Sequence, residues 1–253
     1  MKEILRAEHV TKSYSDKAVL KDIGLTLGEG ELVCLLGISG VGKSTLFNVL
    51  SGLTMPDEGR VLLNRDGNGD WRDITGKSGS LSYMLQKDLL LPHKYVIDNV
   101  ALPLTLKGVK KKEARERASE YFDRFGLSGT EKKYPAQLSG GMRQRAALLR
   151  TYLTGNKVAL LDEPFSALDT ITRTAMQEWF LEVMDEIKLS TIFITHDVDE
   201  AILISDRIYI MQGTPAGLSE EIPISDSKPR EPSYTTSEEF VAYKKKIRGI
   251  LFS

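Results

Sequence analysis

The chain has 253 residues, with 34 basic and 35 acidic side chains giving a net charge of −1, so we expect no nucleic-acid partner. Its hydrophobic content of 41% is that of an ordinary globular protein, and its single cysteine allows no disulfide within the chain. Neither a signal peptide nor an apolar run of roughly 18 residues is evident, so any membrane role is expected to come from another subunit.

The N-terminal part predicts two strands, over Ile4 to Val10 and Lys17 to Leu27. Tyr14 lies on the bend between them. A tyrosine in a loop is usually a half-buried anchor. Because this one precedes a glycine-rich loop, we favour a role in stacking on an adenine ring.

A phosphate-binding loop is the clearest local pattern. The apolar run from Glu31 to Leu36 predicts a buried strand, and the segment from Lys43 to Leu50 predicts a helix that packs on a sheet. Between them the chain reads G-x-x-x-x-G-K-S, and this strand–loop–helix context argues against an ordinary glycine-rich turn. Glycines let the backbone N–H groups approach phosphate oxygens, and the helix start adds partial positive charge. The predicted nucleotide contacts are Gly37, Ser39, Gly40, Val41, Gly42, Lys43, Ser44 and Thr45.

Within that loop, Lys43 is expected to reach the outer phosphates of a nucleoside triphosphate. The hydroxyl of Ser44 is expected to ligate Mg²⁺, and Thr45 to donate to the α-phosphate. The sequence therefore predicts a nucleoside triphosphate site.

The middle of the chain changes character after a predicted strand that ends at Gln86. Residues 64–79 are expected to form a solvated loop, and residues 87–152 are expected to contain helices only, which indicates an inserted helical lobe. An apolar cluster around Leu89 to Ile97 leads into a basic stretch, Lys107 to Arg117. We interpret that stretch as a solvated helix face, with binding to anionic lipid as the alternative.

Strands and helices then alternate again, which predicts an α/β fold with a mostly parallel sheet. Strands are expected at 158–162, 191–195 and 206–211. An amphipathic helix is predicted over 171–187, with Ala175, Trp179, Phe180, Val183 and Ile187 on its inner face. Pro, Ser, Thr and Glu dominate from Gly213 until a last helix at about 237–251.

Polar residues at strand ends form the candidate catalytic group, since doubly wound sheets bind ligands there. Asp162 suits a carboxylate on the magnesium side, and Glu163 a base for hydrolysis; a capping role for this pair is the alternative. Gln86 is expected to coordinate Mg²⁺ or the attacking water, and His196 to hydrogen-bond the γ-phosphate. With the phosphate loop they predict a phosphoryl-transfer site.

These motifs together resemble the ATP-binding subunits of ABC transporters. The resemblance rests on a Walker A loop (37–45), a glutamine loop at Gln86, and the signature Leu138-Ser139-Gly140-Gly141-Met142. It continues with Walker B at Asp162 and Glu163, a D-loop at 166–169 and a switch His196, all in family order. The resemblance implies a P-loop NTPase core with a parallel sheet, an N-terminal antiparallel β part and an inserted helical subdomain. It implies ATP and Mg²⁺ as ligands.

The same resemblance implies that two such subunits dimerise head to tail. Ser139, Gly140 and Gly141 of one subunit would then complete the ATP site of the other. One ATPase domain, 1–253, is expected: a core at 1–86 and 153–213, a helical subdomain at 87–152, and a C-terminal tail and helix at 214–253.

Finer details are similar to one importer branch, for nitrate, sulfonate, taurine, bicarbonate and pyrimidine precursors. Residues 138–145, 161–169 and 195–201 carry this similarity, and Met142 is common in the branch. His93 stands where members often have Trp, and the Gly-Asn-Gly-Asp segment at 67–70 departs from the pattern. The implied partners are a second copy, integral-membrane permease subunits and, indirectly, an extracytoplasmic solute-binding protein, at the cytoplasmic face of the cell membrane.

Two other classes of protein are alternatives to an importer ATPase. ABC ATPases that act in DNA repair require long heptad segments, and those linked to translation carry two such domains; the sequence has neither feature. A non-catalytic nucleotide-binding module would be expected to lack Lys43, Glu163 or His196, and all three are present. An importer ATPase is the favoured interpretation.

Overall fold

A computed structural model describes residues 2–15, 17–64, 69–226, 228, 230 and 232–252. Gly67 and Asn68, in the segment that departs from the family pattern, lie outside the described residues. No helix in the described part of the chain combines the length and the apolar character needed to span a bilayer.

Ten strands are described: β1 (Glu3–Tyr14), β2 (Lys17–Gly28), β3 (Leu32–Leu36), β4 (Glu58–Leu63), β5 (Arg72–Asp73), β6 (Ser82–Met84), β7 (Val158–Asp162), β8 (Ser190–Thr195), β9 (Arg207–Gly213) and β10 (Ala216–Pro223). Eight α-helices accompany them: α1 (Lys43–Leu50), α2 (Val96–Val100), α3 (Leu102–Leu106), α4 (Lys111–Ser119), α5 (Gly140–Tyr152), α6 (Thr170–Ile187), α7 (Val198–Ile204) and α8 (Glu238–Leu251). Short 3₁₀ helices cover Pro135–Gln137 and Pro232–Thr236.

The chain forms two compact units, of which the first comprises Met1–Leu81 and Lys188–Ser253. Its strands lie in the order β5-β4-β1-β2-β10-β9-β3-β8. The N-terminal strands pair antiparallel, whereas β3 is parallel to both β8 and β9. All five residues of β3 are buried, as expected for a central strand of a parallel sheet.

The second unit, Ser82–Ile187, is mainly helical. It contains α2 to α6 and one parallel strand pair, β6 with β7. The predicted fold class is therefore confirmed, with antiparallel N-terminal strands, parallel strands and a helical part. The finer division into 1–86, 87–152, 153–213 and 214–253 stays a prediction.

Several predicted boundaries were wrong. β1 continues to Tyr14 because it pairs with β2 along that length. The polar stretch after Gly213 contains β10, which the sequence did not suggest; pairing with β9 stabilises a strand whose own composition is unfavourable. On α6, Ala175 is exposed and the buried side chains include Met176, Phe180 and Val183.

A buried ion pair ties the start of β3 to β9. Arg207 donates from Nε and Nη2 to the two carboxylate oxygens of Glu31, each at 2.9 Å. Glu31 is only 5% exposed and also accepts from the backbone N–H of Gly28 at 2.6 Å. Such a carboxylate stays charged at little cost only while its partners remain.

We therefore expect Arg207→Met to lower the free energy of unfolding by about 3–5 kcal/mol, because Glu31 would keep a buried charge without its cation. Arg60→Met is the control, since it removes a pair with Glu8 in which Arg60 is 58% exposed, and it should cost less than about 1 kcal/mol. Urea unfolding of both variants measures this. Equal losses of unfolding free energy would show that the Arg207–Glu31 pair stabilises the fold no more than the exposed Arg60–Glu8 pair does.

Candidate functional site

The phosphate loop of the first unit begins directly after the buried strand β3. A Cβ atom at Gly37 would lie 2.6 Å from the carbonyl oxygen of Met211, so only glycine fits there. Gly42 has φ 120°, a conformation that side chains disfavour, and α1 starts at the next residue. Ser39, Gly40 and Ser44 are exposed, while Val41 and Thr45 are partly exposed. The loop thus offers its backbone and hydroxyls on an accessible edge.

Lys43 is the one residue of this loop with a charged side chain, and it is 6% exposed. Its ammonium donates to the carbonyl oxygens of Gly37 at 2.7 Å and Ile38 at 2.9 Å. These two hydrogen bonds keep the positively charged ammonium group of Lys43 next to the backbone of the loop. An anion bound at this helix start would therefore meet a cation in addition to backbone N–H groups.

Tyr14 ends β1 and is 48% exposed, with the ammonium of Lys12 5.5 Å from its ring centre. Asp57 fixes this strand end by accepting from Lys12 Nζ at 2.7 Å and the Ser13 N–H at 2.6 Å. The hydrogen bond from Lys12 lowers the pKa of Asp57. In the pairing of β1 with β2, Tyr14 lies opposite Lys17. Val19, two residues further along β2, has its side chain next to Gly42. The ring and the phosphate loop are therefore on neighbouring parts of the first unit.

His196 follows β8 and is exposed. The parallel register of β3 and β8 pairs Leu36 with Thr195. Gly37 and His196 are consequently the next residues on two adjacent strands, at the same sheet edge. Asp197, the next residue, caps α7 by accepting from the N–H groups of Asp199 at 2.8 Å and Glu200 at 3.2 Å.

In the second unit, the candidate carboxylates end β7. Asp162 is 8% exposed, and its Oδ2 lies 3.5 Å from the hydroxyl of Tyr83. Burial, with the charge of Asp162, raises the pKa of Tyr83, which keeps that hydroxyl protonated as a donor. Glu163 has φ 46°, an unfavourable value for a residue with a side chain, so the surrounding structure must hold its backbone in this conformation.

Gln86 and Glu163 are in direct contact. The Gln86 amide Nε2 donates to Glu163 Oε2 at 3.1 Å, and lies 3.5 Å from the hydroxyl of Ser166. The register of β6 with β7 explains the contact, because Met84 pairs with Leu161 and both strands end at the same edge. Three of the predicted residues, Gln86, Asp162 and Glu163, thus lie together in the second unit.

The signature segment starts the 13-residue helix α5. Ser139 is its N-cap, and its Oγ accepts from the N–H of Met142 at 3.3 Å. A Cβ at Gly141 would lie 3.3 Å from the Thr172 side chain of α6, so the start of α5 packs closely there. Ser139 is exposed, which leaves a hydroxyl and a helix N-terminus accessible.

Two arginines of α5 connect that helix to the residues after Gln86. Arg143 Nε lies 3.3 Å from Asp88 Oδ2, and Arg150 Nη1 donates to the carbonyl of Leu89 at 2.9 Å. Sequence reasoning missed Asp88, Arg143 and Arg150, because these contacts join residues 55 or more positions apart and leave no local pattern.

The apolar cluster after Gln86 divides into buried and exposed members. Leu90, Val96 and Ile97 are buried, whereas Leu89 is 54% and Tyr95 is 37% exposed. Tyr95 lies against Tyr134, with ring centres 4.7 Å apart. Asn99 fixes the connecting loop by hydrogen bonds to Leu91, Lys94 and Tyr95. We refer to the exposed side chains Leu85, Leu89, Tyr95 and Tyr134 as the apolar patch.

Comparison with known proteins gives close relatives over most of the chain. The formylaminopyrimidine import ATP-binding protein ThiZ of Halalkalibacterium halodurans is 40% identical, over 99% of this chain and 97% of its own length. The aliphatic sulfonates import ATP-binding protein SsuB 1 of Rhodococcus jostii is 43% identical, over 86% and 82%. The taurine import ATP-binding protein TauB of Pseudomonas aeruginosa is 38% identical, over 87% and 83%.

Solved structures with a similar fold also include parts of ABC transporters and ATP-binding cassettes. The cbiO1 protein of Clostridium perfringens, part of an ABC transporter complex, superposes with a TM-score of 0.79 at 26% identity, covering 99% of this chain and 95% of its own. A dimeric ATP-binding cassette in a post-hydrolysis state, bound to ADP and phosphate, gives 0.73 at 27% identity, over 88% and 100%. The ABC transporter family profile matches residues 20–166, more than half of the chain. The chain therefore belongs to the ABC transporter family, as an ATP-binding cassette that hydrolyses ATP.

Proposed function

We propose that this chain is the ATPase subunit of an importer for a small solute, acting at the cytoplasmic face of the cell membrane. It would work as a homodimer bound to integral-membrane permease subunits that receive solute from an extracytoplasmic binding protein. The contact between Gln86 and Glu163 carries this proposal. It joins the candidate base for ATP hydrolysis to the segment that leads to the apolar patch.

ATP fits the first unit, because the loop after β3 admits no side chain at Gly37 and holds the Lys43 ammonium close by. Tyr14 would stack on adenine, and Lys43 would hold the outer phosphates. The proposed Mg²⁺ ligands are Ser44, Gln86 and Asp162, since a hydroxyl, an amide oxygen and a carboxylate are the hard oxygen ligands that the ion prefers. When bound, the ion would neutralise negative charge on the phosphate oxygens.

Hydrolysis requires a base for the attacking water, and Glu163 is the proposed one. Its carboxylate would take the proton of the water as the oxygen attacks the γ-phosphorus, giving ADP and phosphate. Gln86, which already donates to Glu163 Oε2, would orient that carboxylate and the water. His196 would donate to a γ-phosphate oxygen, where negative charge has to be stabilised.

The signature would serve the ATP of the partner subunit. Ser139, Gly140 and Gly141 present a hydroxyl and a helix N-terminus, which together form an anion site. The dimeric cassette found among the similar structures supports a paired arrangement. Each ATP would then be held by the phosphate loop of one subunit and the signature of the other.

The apolar patch is the proposed docking place for a short cytoplasmic helix of a permease. Exposed apolar surface bordered by charge is typical of a partner site. Arg143 and Arg150 tie this segment to α5, so a movement of either the signature helix or Gln86 would reach the patch. The three relatives are named for three different solutes, so we propose that solute choice lies in the other subunits.

Glu163→Gln is expected to lower the ATP hydrolysis rate by about a hundred- to ten-thousand-fold, because the general base is lost. ATP binding should remain, and the variant should accumulate as an ATP-bound dimer, which nucleotide titration and sedimentation will detect. Glu178→Gln is the control, since Glu178 is an exposed carboxylate on α6. Hydrolysis by Glu163→Gln at the control's rate would remove Glu163 from this role.

Lys43→Ala and Ser139→Arg should separate ATP binding from assembly. Lys43→Ala should weaken ATP binding, because a cation at the phosphates is lost. Ser139→Arg should leave ATP binding by the monomer unchanged but lower turnover by about a hundredfold or more, because a large side chain fills the anion site of the partner. Ser128→Arg, at an exposed serine of the same unit, is the control. Normal turnover by Ser139→Arg would contradict a shared site.

The double change of Tyr95→Asp in the apolar patch and His93→Asp, at an exposed residue two positions earlier, tests the docking proposal. It should leave ATPase activity of the isolated subunit unchanged but abolish permease-dependent uptake in membranes, because two carboxylates would have to be desolvated against an apolar helix. Leu106→Asp is the control, since Leu106 is 79% exposed but outside the patch. Full uptake and permease binding by the double variant would place the docking site elsewhere.

A further inference from the structure

The C-terminal segment holds both ends of α7, the helix that follows His196. α7 spans only seven residues, Val198–Ile204, and a helix this short is not stable by itself in water. Its position must therefore come from the residues that contact it. The described residues from 226 to 251 supply contacts at the first turn and at the last.

At the C-terminal end of α7, the guanidinium of Arg230 takes the place of a capping motif. Its Nη1 donates to the carbonyl oxygens of Ile202 at 2.6 Å, Leu203 at 3.1 Å and Ser205 at 2.8 Å. Carbonyls of a last turn have no partner within their own helix, and a cation there also suits the helix dipole. Arg230 is only 7% exposed, and burial lowers its pKa.

The surrounding tail holds Arg230 itself in place. Arg230 Nη2 donates to the Asp226 carbonyl at 2.9 Å, and the Asp226 carboxylate accepts from the hydroxyl of Tyr234 at 2.9 Å. The Tyr234 ring lies 5.8 Å from the guanidinium and 5.6 Å from the ring of Phe240 on α8, which is buried. The cation is thus anchored through side chains that belong to the tail and α8.

At the N-terminal end of α7, α8 supplies a second cation. Lys244 Nζ lies 2.7 Å and 2.8 Å from the two carboxylate oxygens of Asp199. Asp199 is in the first turn of α7, three residues after His196. Its N–H is also capped by Asp197, the residue next to His196.

We infer that Arg230 and Lys244 are positioning residues for His196. By fixing α7 at both ends, they set the path of the backbone from which His196 leaves the end of β8. The inference rests on the proposed role of His196 at the γ-phosphate. Weakening either contact should impair γ-phosphate stabilisation while leaving adenine and the inner phosphates bound, because Asp57 fixes the strand end at Tyr14 and Lys43 braces the phosphate loop.

Lys244→Gln and its neighbour Lys246→Gln provide a matched test. Both lysines are on α8, but Lys246 pairs with Glu220 of β10 at 2.6 Å instead of with α7. In the full-length protein with MgATP, Lys244→Gln should lower kcat about tenfold and change KM less than about twofold, since only an interaction of the transition state is misplaced. Lys246→Gln should change neither. Arg230→Gln should act like Lys244→Gln, and Arg230→Lys, which keeps the charge and three donors, should restore part of the rate.

Hydrogen exchange gives a readout apart from activity. Amides of residues 198–204 should exchange faster in Lys244→Gln and Arg230→Gln, while those of α1 should not change. Should Arg230→Gln fail to fold, Lys244→Gln decides the matter, because the side chains of its pair are 36% and 45% exposed, whereas Arg230 is buried.

His196→Ala separates the possible failures. If His196→Ala hydrolyses ATP normally, the role of His196 is wrong and the positioning inference falls with it. If His196→Ala is inactive but Lys244→Gln and Arg230→Gln keep the wild-type kcat, only the positioning inference is overturned. An equal loss in Lys246→Gln would also overturn it, because the effect would then belong to α8 as a whole.

Discussion

Parallel strand pairing is the constraint on which the functional residues depend. In the first unit, the pairing of β3 with β8 brings Gly37 and His196 to one edge, although 159 positions separate them in the sequence. In the second unit, the pairing of β6 with β7 does the same for Gln86 and Glu163. A one-residue slip of either pair would turn the following residues to the opposite face. The buried contact of Arg207 with Glu31 ties the start of β3 to β9, its other parallel neighbour.

Buried or half-buried charges recur where backbone ends need partners. Lys43 donates to carbonyls at the phosphate loop, and Arg230 donates to carbonyls at the end of α7. Burying a charge is costly unless hydrogen bonds compensate, so each of these cations fixes the backbone around it. Arg143 and Arg150 act similarly between α5 and the segment after Gln86. The phosphate loop, the end of α7 and the signature helix thus each have a nearby cation that restrains their backbone.

Features that depend on local sequence patterns could be predicted, whereas features that depend on contacts between distant residues could not. The apolar run before Gly37 and the helix after Lys43 correctly predicted β3 and α1, and Asp162 does end β7. The roles of these residues in binding and hydrolysis stay predictions. β10 could not be predicted, because its stability comes from pairing with β9 and not from its own residues. Arg230 gave no signal either, since its partners are 25 to 28 positions away and are backbone carbonyls, which no side-chain pattern reveals.

In the proposed dimer each ATP is bound by residues of two subunits, and mixing two inactive variants tests this arrangement most directly. Lys43→Ala disables the phosphate loop, and Ser139→Arg disables the signature. A mixed dimer would contain one site with both faults and one site with neither. Mixing equal amounts should therefore restore up to about a quarter of the wild-type ATPase rate, since about half of the dimers are mixed and each has one intact site. If the mixture stays as inactive as its components while the mixed dimer forms, each ATP site is complete within one subunit and the account is wrong.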